Sequence, residues 1–298
     1  MTARVTALMA AVLLAAGGGL TWMGDPDREI SFTAAGELWS DALRDAGQAG
    51  LQFVRVSEKE EMDLGRKLAR QYLQASTTDP VWTQYVDMVG KDLARQAVRK
   101  GIGYEFHAVD SPSVNAFALP GGQIVVFTGL LKAMRTEGEL AAVLGHEIAH
   151  VDARHAIEGH QYRMKLGPIP DLAHAIVSQG YAQYQELEAD AVSVRILVDS
   201  GYDPRAAEAM FRRLMAIEGL PAQYVASTPI DEMIATLSTA ADYFRSHPPT
   251  PERLRRVIGL SARHARRHPT QAFYVGTENY RRRVPKSKQE FAGEVVRF

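Results

Sequence analysis

The stretch 145–150, Gly-His-Glu-Ile-Ala-His, carries residue types and a spacing suited to hydrolytic chemistry. His146 and His150 stand four residues apart inside an apolar run, 138–156, which predicts a helix. Both imidazoles then lie on one helix face and can reach the same metal ion. Glu147 lies about 100° round the helix, close enough to act on a water at that ion. This H-E-x-x-H arrangement predicts His146 and His150 as zinc ligands and Glu147 as the catalytic base.

A hydrolytic zinc ion needs a third protein ligand, and cysteine cannot supply it because the chain contains none. Downstream, Glu186 and Asp190 stand four residues apart in another helical run and share a face, whereas Glu188 points elsewhere. Glu186 can complete a His₂Glu site for one Zn²⁺ per chain. Asp190 can accept a hydrogen bond from the outer nitrogen of a zinc-bound histidine. A solvated acidic helix face is the alternative explanation of this spacing.

Four motifs in order carry a resemblance to a known family: N-A-F-A-L-P-G-G at 115–122, the motif at 145–150, E-x-x-A-D at 186–190 and H-P-P-T-P-E-R at 247–253. Together they resemble the HtpX and CaaX-prenyl-protease-like family of zinc metalloendopeptidases, of the gluzincin type. The resemblance covers about residues 57–260. It implies a mainly helical α+β fold, in which a small antiparallel edge-strand sheet packs beside the H-E-x-x-H helix.

The same resemblance implies that His146, His150 and Glu186 are ligands and that Glu147 is the base. The multiple membrane spans of HtpX and of the prenyl proteases are missing, and so is room for a tetratricopeptide domain. The chain is therefore similar to the small stand-alone envelope members of the family, the LoiP and Oma-like branch and the BepA peptidase domain. Processing of prenylated peptides is correspondingly less expected.

His247 opens the H-P-P-T-P motif and has three interpretations. It could donate a hydrogen bond to the oxyanion of the reaction, which would make it a catalytic residue. By resemblance, it could instead serve as a fourth ligand that holds the enzyme latent. It could also simply begin a proline-fixed turn.

His155 follows His150 by five residues on the predicted helix 138–156. At that spacing its ring points away from the ligand face. The sequence therefore predicts a structural or surface role for His155, and the same interpretation applies to His160.

Two runs with strand composition, 104–109 and 124–127, precede the metal-binding helix and predict a small antiparallel sheet. An exposed edge of such a sheet could hold a peptide in extended form by strand addition. Asn115, Val125 and Val126 are the residues predicted to hold the substrate backbone. The alternative is an edge strand that binds nothing.

The chain divides into four predicted parts. Residues 1–24 combine Arg4, an apolar run and three glycines, which is typical of a secretory signal or, if uncut, of a membrane anchor. Residues 25–56 are a lead-in segment, residues 57–267 the zinc metallopeptidase domain, and residues 268–298 a basic tail. The signal predicts export to a bacterial periplasm, with tethering to the inner membrane if residues 1–24 are not cleaved off.

Charge is distributed unevenly, although the net charge is only −1. From Pro251 to the end there are 12 Lys and Arg against 4 Asp and Glu. Such a tail could bind a membrane surface, or it could dock on its own acidic body. No nucleic-acid partner is expected.

The function predicted from these features is zinc-dependent endopeptidase activity on unfolded or damaged envelope proteins. One alternative is a zinc-bound chaperone or adaptor with latent protease activity. Another is a membrane-surface binding module in which peptidase activity is secondary.

Overall fold

This computed structural model describes residues 56–158, 180–217, 243–288 and 293–298. The predicted signal or anchor and nearly all of the lead-in segment therefore lie outside the described residues, as does His160. No helix in the described ranges is long and apolar enough to cross a membrane. Residues 55–298 form one compact unit.

Helix α1 spans Glu58–Gln74 and begins with a capping box, which the run S-E-K-E at 57–60 predicts. The Ser57 hydroxyl accepts the Glu60 amide at 3.2 Å, and the Glu60 carboxylate accepts the Ser57 amide at 2.8 Å. These two bonds satisfy amide groups that the first helical turn leaves unpaired.

Helix α2 spans Pro80–Ala94. It starts where Asp79 and Pro80 predict, because the Asp79 carboxylate accepts the amides of the first turn. Gly101 is a residue typical of a helix end, so the sequence predicts a helix to about Lys100, and this prediction is wrong. After Ala94 the chain turns, and the amides of Val98 and Arg99 donate to the Asp152 carboxylate at 2.6 and 3.0 Å.

A three-stranded sheet follows, with strands β1 (Glu105–Val109), β2 (Ala116–Leu119) and β3 (Gln123–Phe127) in the order β1-β3-β2. The predicted antiparallel pairing of the first and last of these runs is wrong, because β1 and β3 are parallel. The reason is β2, which forms within the predicted connection and pairs antiparallel with β3. The sheet is therefore mixed.

Val125 and Val126 do not lie on an exposed sheet edge, and their role in holding substrate stays a prediction. Both residues are fully buried in β3, and β3 is the central strand, with a neighbour on each side. A central strand has no unpaired backbone edge to offer a peptide. The edge strand on the side of the 115–122 motif is β2.

The remaining elements are mainly helical. They are α3 (Thr128–Ala133), α4 (Glu137–Asp152), α5 (His155–Glu158), α6 (Gln183–Asp199), α7 (Ala206–Ile217), α8 (Tyr243–Ser246), α9 (Pro251–Arg267), β4 (Phe273–Tyr274), α10 (Thr277–Arg282) and β5 (Val295–Val296). The mainly helical α+β fold is confirmed, and it is compatible with a gluzincin-type core.

Helix α4 is the centre of the core, since every residue from Glu137 to Val151 is buried. It packs most extensively against α6. At their closest approach, a Cβ added to Gly145 would lie 3.1 Å from Ser193 Oγ, and that hydroxyl donates to Ala142 O at 2.8 Å. The glycine beside His146 thus lets α6 come close enough to bring its carboxylates to the α4 histidines.

The C-terminal segment packs on the start of α4. The Glu137 carboxylate accepts the hydroxyls of Tyr85 and Tyr202, both at 2.7 Å, and the Lys286 amide at 2.9 Å. The Glu137 amide in turn donates to Gly276 O at 2.9 Å. Part of the basic tail is therefore held on the body of the protein.

Candidate metal centre

Four buried side chains converge beside α4. His146 and His150 come from α4, Glu186 comes from α6, and His247 follows α8. Each offers one ligand atom, and these atoms all lie within 4.8 Å of one another. The structure thus brings together the three predicted zinc ligands and the histidine whose role was left open.

The distances between these atoms fit a single metal ion. His150 Nε2 lies 3.0 Å from His146 Nε2 and 3.3 Å from Glu186 Oε1. His247 Nδ1 lies 3.0 Å from Glu186 Oε1 and 3.3 Å from His146 Nε2. Ligands about 2.0–2.1 Å from a tetrahedral zinc ion are about 3.3 Å apart. The cluster can therefore hold one ion, with His247 at the fourth corner.

On one side of the cluster, Asp190 lies beside His146. Asp190 Oδ1 lies 3.1 Å from His146 Nδ1, the nitrogen that faces away from the other ligands. Burial lowers the pKa of His146, but Asp190 and Glu186 outweigh it and raise that pKa from 6.5 to about 9. Asp190 therefore lies where its predicted supporting role requires.

Arg253 holds both carboxylates of α6. Its guanidinium donates to both oxygens of Asp190 at 2.8 Å and lies 2.5 Å from Glu186 Oε2. Burial opposes ionisation of these carboxyls, yet Arg253 holds the pKa of Asp190 below its ordinary value and that of Glu186 well below it. The same group donates to the carbonyls of His247 and Pro248 at 3.0 Å, which ties Glu186 to His247.

On the other side, His155 contacts His150. Of the structural and surface roles predicted for His155, the surface role is wrong: the residue is buried, and its Nδ1 is 2.9 Å from His150 Nδ1. The reason is that α4 ends at Asp152, so that His155 begins the new helix α5. Burial lowers the pKa of His150 well below its ordinary value.

Glu147 sits at the cluster without a strong partner. Its carboxylate is completely buried. His247 Nε2 lies 3.5 Å from Glu147 Oε1. Burial raises the pKa of Glu147, and the opposing effects of two nearby histidines and a backbone hydrogen bond from Ala118 do not cancel it.

Two tyrosines frame the histidines. Tyr181 stacks on His150 with ring centres 3.7 Å apart, and Tyr243 stacks on His247 at 4.5 Å. The Tyr181 amide donates to Ser246 O at 3.0 Å, which joins the start of α6 to the turn that carries His247. These rings restrict how the imidazoles can rotate.

Asn115 lies just before β2, and it is buried. Its carbonyl accepts the Phe127 amide at 3.0 Å, and the neighbouring Val114 carbonyl accepts the Tyr243 amide at 3.1 Å. Asn115 therefore lies between the sheet and the α8 turn. Its role in holding substrate stays a prediction.

Sequence reasoning missed Arg253, His155, Tyr181 and Tyr243 as parts of this site. Arg253 closes the H-P-P-T-P-E-R motif, so the sequence marked its position without indicating its partners. The two tyrosines and His155 carry no spacing signal, because their positions depend on turns between helices.

The H-E-x-x-H helix, the carboxylate on the next long helix and the buried four-residue cluster define the chain as a metallopeptidase. The family model for peptidase family M48 matches residues 80–168 and 160–261. Because these segments cover more than half of its residues, the chain belongs to peptidase family M48. Its class is that of the metalloendopeptidase hydrolases.

Individual relatives agree with this assignment. The chain is 36% identical to mitochondrial metalloendopeptidase OMA1 of Arabidopsis thaliana over 133 residues, which are 40% of this chain and 27% of the relative. It is 29% identical to the beta-barrel assembly-enhancing protease of Yersinia pestis over 240 residues, 70% of this chain and 49% of the relative. The chain thus spans between about a quarter and a half of these relatives.

Proposed function

We propose that this chain is a zinc-dependent endopeptidase that hydrolyses peptide bonds of unfolded or damaged envelope proteins. The observation that carries the proposal is the buried Glu147 carboxylate beside His146, His150 and Glu186. Zinc held by these three residues would supply an acidified water and would polarise the scissile carbonyl.

The residues of the chain have separable roles in this reaction. Glu147 takes a proton from the attacking water and passes it to the leaving amine, as a general base and then a general acid. Its raised pKa favours the first transfer, because a carboxylate in an apolar site binds a proton more readily. Asp190 and Arg253 hold His146 and Glu186 in place while this happens.

Substitution of Glu147 by Gln tests the proposal directly. The full-length chain is purified, its zinc content is measured, and casein cleavage is followed. Glu147→Gln should retain about one zinc per chain and lose about 10²- to 10⁴-fold in cleavage. The exposed Glu105→Gln is the matched control and should cleave normally. Equal cleavage by Glu147→Gln and the wild-type chain would refute the role of Glu147.

A second candidate function is a zinc-bound chaperone or adaptor with latent protease activity. The observation that favours it is the position of His247 Nδ1 at the fourth corner of the cluster. A closed four-ligand set is typical of structural zinc sites, whereas catalytic sites leave one position open.

Replacement of His247 by Ala distinguishes its three interpretations. Cleavage should rise if His247 blocks the fourth position, and should fall with zinc retained if His247 donates to the oxyanion. Unchanged cleavage with zinc retained would leave His247 a turn residue. The Tyr243→Leu variant controls for loss of the stacked ring alone.

We propose that the protein is exported to a bacterial periplasm and contacts the membrane surface. The support is the apolar start of the sequence and the charge of its end. The name of the Yersinia pestis relative, beta-barrel assembly-enhancing protease, favours envelope proteins as substrates to test. Recovery of the chain from a cytoplasmic fraction would contradict this proposal, as would salt-independent binding to anionic vesicles.

A further inference from the structure

The turn between α4 and α5 sets the position of His155. Arg154 has φ 63°, a left-handed conformation that is uncommon for a residue other than glycine. Its carbonyl accepts the amides of Ile157 and Glu158, and its guanidinium donates to Val56 O and lies 3.1 Å from Glu61. These contacts hold the turn, and the turn directs the His155 ring back towards α4.

The contact between the two histidines defines where their protons lie. His150 Nε2 faces His146 and Glu186, so this nitrogen must be unprotonated to bind a metal. The proton of a neutral His150 is then on Nδ1. At 2.9 Å from that atom, His155 Nδ1 must accept the hydrogen bond.

Glu188 completes the arrangement. With His155 Nδ1 acting as acceptor, the proton of a neutral His155 is on Nε2. That nitrogen lies 3.4 Å from Glu188 Oε2 on α6. The opposite tautomer of His155 would set two N–H groups against each other across the 2.9 Å contact. Glu188 therefore favours the tautomer that His150 requires.

We propose that His155 is a positioning residue for the metal centre, which fixes the tautomer and ring orientation of His150 and is itself oriented by Glu188. It serves His150 as Asp190 serves His146. Groups hydrogen-bonded to the outer nitrogen of a ligand histidine commonly change metal affinity by about 10- to 100-fold when they are removed. This inference rests on the proposed metal-binding role of His150.

Two substitutions of His155 separate hydrogen bonding from packing. His155→Asn keeps an acceptor oxygen near the position of Nδ1, whereas His155→Leu keeps the volume and removes the acceptor. Zinc affinity of the full-length chain is measured by competition with a chromophoric chelator. His155→Leu should bind zinc about 10- to 100-fold more weakly, and His155→Asn should stay close to wild type.

A matched control is His264→Leu, a partly buried histidine near the far end of α9, which should leave zinc affinity unchanged. Wild-type affinity in His155→Leu would overturn the proposal. Equal weakening in His155→Leu and His155→Asn would also overturn it, because the loss would then come from packing. If the wild-type chain itself binds no zinc, the proposed function fails instead.

The tautomer of His155 can also be determined in the wild-type chain, without any substitution. In the zinc-loaded chain labelled with ¹⁵N-histidine, long-range ¹H–¹⁵N spectra distinguish protonated from unprotonated ring nitrogens. We expect His155 to be protonated at Nε2 and unprotonated at Nδ1, and His150 to be protonated at Nδ1. A His155 ring protonated at Nδ1 would overturn the proposal even if His155→Leu does not fold.

Discussion

The two histidines of the H-E-x-x-H motif are supported in opposite ways. His146 is backed by the Asp190 carboxylate, which Arg253 holds in a fully buried ion pair. His150 is backed by a neutral ring, His155, whose own partner Glu188 is 56% exposed. Asp190 and Glu186 raise the pKa of His146, whereas burial lowers that of His150.

This difference shows that equivalent positions in a motif need not be equivalent as ligands. A carboxylate behind an imidazole increases its basicity, while a neutral acceptor mainly fixes its orientation. Substitutions on the His146 side should therefore change charge balance and stability. Substitutions on the His150 side should instead change the orientation of the His150 ring at the metal site.

Removal of Arg253 should have the largest effect. Arg253→Met leaves Asp190 and Glu186 buried without their cation, so the free energy of unfolding should fall by about 3–5 kcal/mol. The free energy of unfolding is measured by urea titration of chelator-treated protein. Arg205→Met, which breaks the half-exposed pair with Asp203, is the control and should cost at most about 1 kcal/mol. Equal losses of unfolding free energy in Arg253→Met and Arg205→Met would contradict the prediction that the buried ion pair behind His146 stabilises the protein.

Metal affinity should respond strongly to Asp190. Asp190→Asn removes the negative charge behind His146 but keeps a hydrogen-bond acceptor, so zinc should bind about 10- to 100-fold more weakly. Chelator competition provides the measurement. The exposed Asp63→Asn should bind zinc normally. Wild-type zinc affinity in Asp190→Asn would mean that the charge of Asp190 does not matter, and that His146 and His150 both need only a partner that orients the ring.

Stability of the metal-free protein should depend on pH through His146. Its pKa is raised from 6.5 to about 9, so its stabilising contribution is complete below pH 6.5 and is lost as pH rises through 9. The loss should be about 3 kcal/mol. Urea unfolding across this range should show it in the wild-type chain and much less in Asp190→Asn. Parallel curves for the two proteins would count against the prediction.

Glu188 should give the smallest effect, because its carboxylate is largely exposed. Glu188→Leu removes the acceptor for His155 Nε2, and zinc affinity should fall by about threefold or less, as for a single solvent-screened contact. Chelator competition measures the zinc affinity of Glu188→Leu and His155→Leu in parallel and so compares the contributions of Glu188 and His155. If Glu188→Leu lost as much zinc affinity as Asp190→Asn, the distinction between the support of His146 and the support of His150 would not hold.

Local sequence signals predicted the elements that depend on neighbouring residues. Ser57 and Glu60 form a complete capping box, and Asp79 caps α2, because these bonds close within three residues. The convergence of His146, His150 and Glu186 was also predictable, since each motif fixes a helix face.

Features that depend on tertiary contacts were not predictable. The parallel pairing of β1 and β3 requires β2, whose short apolar run sits inside a turn-rich connection. The end of α4 at Asp152 is followed by the left-handed turn at Arg154, which contacts with Val56 and Glu61 hold in place. Without that end, His155 could not be placed against His150.

The hydrogen bonds of Glu137 determine how the basic tail can be studied. Deletion after Arg267 would remove the Lys286 amide and the Gly276 carbonyl that bond Glu137 at the first turn of α4. A truncated chain would therefore lose helix anchoring together with positive charge, and weaker vesicle binding would have two causes. Charge substitution at exposed arginines, such as Arg266→Gln and Arg267→Gln, leaves that anchor in place and tests the charge alone.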